Sequence, residues 1–232
     1  MLRIFLLLPF LWCNGCTPGS QSGLTDDQLL MNELADRQVA DSLIQDYFGQ
    51  HVNKLPLADL IAARDSVFRD NCNRLQELFA QHGLPKVVEV GLRGIHNFWM
   101  MVQHCDVDPQ FQEEVLITMQ RDSAYQRSEY RKEMAYLTDR VLKNTGRAQR
   151  YGTQLKHGDD LGLELPLMED TCGVDRLRLE AGMEPLAEYY NNYMEWHFSA
   201  NSEEYAKRKI NEPLKFNMPV GCPPTNIEPP KE

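Results

Sequence analysis

Two stretches carry side chains whose types and spacing could do chemistry: WMMVQHCD at residues 99–106 and AYLTDRVLKNTGRAQRYGTQ at residues 135–154. An imidazole titrates near neutral pH, so His104 suits general-base work once a carboxylate orients it. Asp139 and Asp106 are the candidate orienting groups, which makes His104, Asp139 and Asp106 the candidate catalytic set. Side chains two apart on a helix point to opposite sides, so Asp106 reaches His104 only where the helix has already ended. Gln103, Arg140, Gln149, Tyr151, Thr153 and Gln154 add amide, guanidinium and hydroxyl groups that could hold a polar or anionic ligand. The same residues can instead form a buried network that specifies packing and does no chemistry, with Asp139 paired to an arginine and His104 capping carbonyls. That structural reading is preferred. It leaves a ligand-binding or protein-interaction module built on a polar cleft between the two motifs, with hydrolysis by His104 as the alternative.

Other site types are absent from the pattern. His96 and His104 are eight residues apart, about 12 Å on a helix, too far to share one zinc ion. No HExxH string, paired CxxC, nucleophile elbow, P-loop or dinucleotide fingerprint occurs, so no metal and no cofactor is implied. Adjacent helical residues diverge by about 100°, so Cys105 and His104 are poorly placed as a thiol and base pair. With 34 acidic and 24 basic residues the formal net charge is −10, which excludes the basic footprint a nucleic-acid partner requires.

The elements that must position these groups are helical by period. Leu30, Leu34, Ala40, Leu43 and Ile44 fall at mostly three- and four-residue steps in a helix from Asp26 to Phe48. Leu57, Leu60, Cys72, Leu75 and Leu78 mark a second, opened by Pro56 and closed by Gly83 and Pro85. Ile95 to His104 is a central apolar helix, Asp108-Pro109 caps a fourth, and Ser128 to Lys143 forms a fifth. From Asn144 to Gly173 no period persists, and a loop that long in a compact domain is functional, locally structured or hides a strand. Two last helices follow, Val174 to Ala181 and Pro185 to Phe198. The expected fold is therefore all-α: one irregular bundle of six or seven helices with a single long functional or bracing loop.

The ends set the domain plan. Ile4 to Trp12 is an apolar run behind Arg3, too short to span a bilayer, which needs about 20 residues, and it has the form of a secretory signal over residues 1–15. Cys16 follows small Gly15, as at a bacterial lipoprotein processing site, so residues 16–23 are a lipidated cysteine and a flexible spacer. Residues 24–198 are the helical domain, and 199–232, rich in proline, are a polar tail expected to be largely disordered. The expected partners are a membrane, through the lipid on Cys16, and an envelope protein or small polar ligand. The expected location is the bacterial cell envelope, facing the periplasm or exterior, on the outer membrane in a Gram-negative cell. Cys72 and Cys105 fall on core faces, and a Cys172–Cys222 disulfide is an open option in an exported chain.

HGLPKVVEVG, WMMVQHCDVDPQFQ, the AYLTDRV to YGTQ string and VDRLRLEAGMEPLAEY together resemble successive motifs of the bacterial domain of unknown function 6624 family, over roughly Arg64 to Tyr190. Leu84 stands where that pattern suggests tryptophan, and Cys105 where it suggests alanine. The resemblance implies a recurrent domain, often secreted or lipid-anchored, and no activity.

Overall fold

The structure is a computed structural model that describes residues 26–219 apart from 53, 128, 129 and 159. The expected signal segment, the expected lipidation site at Cys16, the expected spacer and the end of the tail lie outside the described residues. Among those described, helix dominates and the only named strands are two of two residues each, so the fold is mainly α.

Helices α1 (Asp26–His51) and α2 (Leu57–His82) form an antiparallel pair. Asp26 and Asp27 sit in the first turn of α1 and His51 in its last, each on the side the helix dipole favours. Leu34 on α1 and Cys72, Leu75 and Leu78 on α2 are buried in one core with α3 (Val87–Gln103). Arg74 joins the pair by gripping Glu33 at 2.7 Å (Nε to Oε1) and 3.0 Å (Nη2 to Oε2). Gly83 ends α2 at φ 71°, a left-handed conformation that side chains other than glycine adopt at a cost.

The central helix starts earlier than its apolar run, at Val87, because Gly91 interrupts it with φ 66° and ψ 173° and so hides the first turns from a period search. Gly94 lets the two pieces pack closely, since a Cβ there would stand 2.5 Å from Cβ of Val90. Its inward face, Ile95, Phe98, Trp99, Met101 and Val102, is the middle of the main core. Helix α4 (Pro109–Arg121) begins as expected: Asp108 caps it by accepting from the Phe111 N–H at 3.0 Å, and Pro109 occupies the first turn. A 3-10 turn, Ser123–Gln126, leads into α5 (Arg131–Asn144), whose buried Leu137 and Val141 complete the core.

The long loop does hold strands. β1 (Lys156–His157) pairs antiparallel with β2 (Leu163–Glu164), and an isolated parallel bridge joins Gln149 to Met168. Two residues per strand leave no alternation to read in sequence. Helices α6 (Val174–Glu180), α7 (Leu186–Ala200) and α8 (Ser202–Lys207) follow. Here the tail expectation needs correcting. Tyr205 on α8 is fully buried, and Phe216 packs with Val174, Leu186 and Tyr190 in a second core. Asn191 holds Phe216 from both sides, accepting from its N–H at 2.8 Å and donating to its carbonyl at 3.2 Å. A few apolar anchors fixed residues 202–218 against the body, although the average composition of the tail is polar.

Candidate functional site

Helix α3 ends at Gln103, and His104 is its C-cap, with φ −94° and ψ 3°. The ring turns away from the second motif and toward α1. Nδ1 lies 2.8 Å from Oδ1 and 2.9 Å from Oδ2 of Asp41, whose side chain is fully buried. A carboxylate only accepts, so Nδ1 carries the proton and Nε2 is the other reactive atom. Gln45 donates to Asp41 Oδ1 at 3.0 Å, and Phe68 of α2 stacks on the imidazole at 4.7 Å with the planes 11° apart. The expected pairing of His104 with Asp139 or Asp106 is therefore corrected: the carboxylate at His104 is Asp41. Sequence reasoning passed over Asp41, although it lies seven residues beyond Leu34 on the inward stripe, where a charged residue is out of place.

Asp106 instead joins the two motifs. Arg140 of α5 grips it with both arms, Nε to Oδ1 at 2.7 Å and Nη2 to Oδ2 at 2.6 Å. Asn144 donates to Oδ1 at 2.6 Å. Burial pushes the Asp106 carboxyl up, but the Arg140 guanidinium, with Asn144 and Gln112, outweighs it and holds the group below the ordinary carboxylate range. The third arm of Arg140, Nη1, donates to Gln154 Oε1 at 2.8 Å. Sequence reasoning passed over Gln112, which is fully buried, donates to the Val102 carbonyl at 2.9 Å and accepts from Asn144 at 2.9 Å.

Asp139 is fully buried and its oxygens are taken up by the YGTQ turn. Oδ1 accepts from the N–H groups of Arg150 (2.8 Å) and Tyr151 (3.1 Å), and Oδ2 from the N–H (2.7 Å) and hydroxyl (3.0 Å) of Thr153. Gly152, at φ 67°, makes the bend that turns successive donors onto one carboxylate. Burial raises the Asp139 carboxyl above its ordinary value, and the same donors pull the other way. The Gln149 side chain clasps the Gln154 backbone, its Nε2 donating to the Gln154 carbonyl and its Oε1 accepting from the Gln154 N–H, each at 3.0 Å. Gln103 is inside the packing, its amide oriented so that the carbonyl accepts from the Leu137 N–H at 2.8 Å. Arg178 was also missed. Fully buried on α6, it donates to the Glu184 carbonyl at 2.7 Å and the Tyr151 carbonyl at 2.8 Å, and its guanidinium lies 4.7 Å from the Tyr189 ring centre. Its mark in sequence is an arginine between Leu177 and Leu179.

The turn walls an open cleft of about 280 Å³. Leu155, Pro166 and Leu167 give it apolar sides, and Lys143, Arg147 and Lys156 line it with positive charge. Arg147 pairs with Glu113 and Lys156 with Glu164. Lys143 makes no ion pair among the described residues, and burial together with neighbouring Arg140 holds its amine below the ordinary lysine range, partly offset by Asp106.

Among the described residues no cluster of three or more His, Cys, Asp or Glu could hold a metal ion, and no helix is long and apolar enough to cross a membrane. Cys72 and Cys105 are buried free thiols; Cys172 is disulfide-bonded, and the Cys172–Cys222 pairing itself falls outside the described residues.

No curated protein and no solved structure matches the chain. Residues 26–199 match the family model described as Family of unknown function (DUF6624), a span that runs from the start of α1, and so includes Asp41, to the last turn of α7. That covers well over half the sequence, and the chain belongs to the Family of unknown function (DUF6624).

Proposed function

We propose that this protein is a binding module without turnover, tethered by a lipid on Cys16 to the bacterial cell envelope, whose cleft beside the YGTQ turn takes a carboxylate or phosphate carried on a short apolar body. The observation that carries the reading is Lys143, a lysine without an ion-pair partner among the described residues, at a cleft with apolar walls. The groups around it are already committed: Asp139 to the turn, and Arg140 to Asp106 and Gln154. Saturated groups of this kind make a rigid frame, and a rigid frame with one unmatched charge suits binding better than proton transfer. The test is titration of the full chain with octanoate, with octanol as the neutral control. Octanoate should bind more tightly than octanol, and Lys143→Gln should weaken octanoate alone by roughly tenfold, the loss of one charge-assisted hydrogen bond. Equal binding of acid and alcohol, or indifference to Lys143→Gln, overturns the reading. Mass measurement of the mature amino terminus tests the tether separately.

One observation favours a second reading, hydrolysis with His104 as general base. Buried Asp41 fixes the ring's tautomer and orientation, which is what such a base requires. Turnover of an ester substrate that disappears in His104→Gln, in a variant that keeps its fold, would establish it.

A further inference from the structure

A second cleft lies between α3, α4 and the start of α5 and shares no lining residue with the first. It has a volume of about 230 Å³, below the roughly 300–1,000 Å³ that drug-sized ligands occupy. Leu92, Ile95, Trp99 and Met119 make its walls apolar. One carboxylate, that of Glu133, stands among them.

The state of that carboxylate calls for a ligand. Its Oε2 is buried and has no hydrogen-bond partner. Oε1 faces His96 Nδ1 at 3.8 Å, beyond hydrogen-bond length. A buried acceptor left unsatisfied is uncommon and costly in native proteins. Around it the cleft presents Leu92, Ile95, Trp99 and Met119, with His96 and Tyr130 as its other polar side chains. A metal ion fits poorly, because the cleft offers a single carboxylate.

An organic ammonium suits the site on both counts. Its N–H groups would satisfy Glu133 and its apolar body the walls. Trp99 adds a second attraction. Its Nε1 donates to the Glu133 carbonyl at 2.9 Å, which fixes the indole beside that side chain, and an indole face attracts cations. We propose that this cleft binds a small organic cation, a primary ammonium on a short apolar or aromatic body, through Glu133 and Trp99.

The test is calorimetric titration of the full chain with benzylammonium, using benzyl alcohol as the neutral isostere. Benzylammonium should bind more tightly than the alcohol. Glu133→Gln should weaken it about tenfold and leave the alcohol unchanged, because the loss is that of a charged partner and the shape is kept. Leu92→Trp fills the mouth from an exposed position and should abolish binding without disturbing the core; Leu92 is 59% exposed. Lys143→Gln should change nothing here, which separates this cleft from the one proposed for anions. Binding of benzylammonium no tighter than the alcohol, or undiminished in either Glu133→Gln or Leu92→Trp, overturns the proposal.

Discussion

Asp41 and His104 are 63 residues apart in sequence, yet the carboxylate of one lies 2.8 Å from Nδ1 of the other, tying the first helix to the end of the third. Removing one partner leaves the other buried and unmatched, which costs more than the bond itself contributes. Asp41→Ala should therefore destabilise the fold by about 2 kcal/mol, or roughly 4–8 °C in melting temperature for a chain of this size. His104→Ala should cost a similar amount. The double variant should lose less than the sum, since the two single changes break the same bond. Circular dichroism melts of the four proteins measure this. Melting curves that superimpose would remove the structural role and favour the hydrolytic reading.

Asp139→Asn tests the frame around the first cleft. An amide nitrogen in place of Oδ2 would face the Thr153 N–H, donor against donor, and only the Thr153 hydroxyl could turn to accept from it. We expect a loss of about 2–4 kcal/mol and faster hydrogen exchange at the amides of Arg150, Tyr151 and Thr153. Exchange that stays slow there would show that the turn holds its shape without the carboxylate.

The helices were legible in sequence because an apolar stripe repeats along each one, and the Asp108 cap because its chemistry is local to Asp108-Pro109. Gly91 shows what period cannot report: a single positive φ splits α3 without changing the residue pattern on either side. Tyr205 and Phe216 were hidden for a different reason, since a few anchors hold a segment whose average composition looks disordered. In the candidate site the participants were legible and the pairings were not. His104, Asp106, Asp139, Arg140 and Gln154 all stood out as polar groups among apolar neighbours. Which carboxylate meets which cation depends on how helices cross, and sequence spacing carries no record of that. Asp41 was visible on its stripe, but only the packing of α1 on α3 makes it the partner of His104.

Acid should expose the Asp106–Arg140 link. The folded-state pKa of Asp106 lies below its ordinary value of about 3.9. Its contribution is thus complete above that ordinary value and is lost as pH falls from there through the depressed folded value. The gap in melting temperature between the wild type and Asp106→Asn should be widest near pH 6 and should narrow below about pH 4. Scanning calorimetry across that range reads it directly. A gap that widens on acidification would mean that Asp106 is not the carboxylate held by Arg140.

Cys72 and Cys105 should be inert while the protein is folded. Their side chains are buried where α2 meets the end of α3, at 1% and 0% exposure, and burial pushes the Cys105 thiol far above the ordinary range, with neighbouring Cys72 adding to the shift. The thiolate is the reactive form, so burial opposes alkylation at both residues and suppressed ionisation opposes it further at Cys105. Iodoacetamide at pH 8 should leave both unlabelled in the native protein and label both in concentrated urea, as read by peptide mass mapping. The rate of native labelling then reports how often this corner opens. Because His104 sits beside Cys105 and is anchored to α1 by Asp41, Asp41→Ala should raise that rate at Cys105. Equal labelling rates in the wild type and Asp41→Ala would show that the His104 tie does not guard this part of the core.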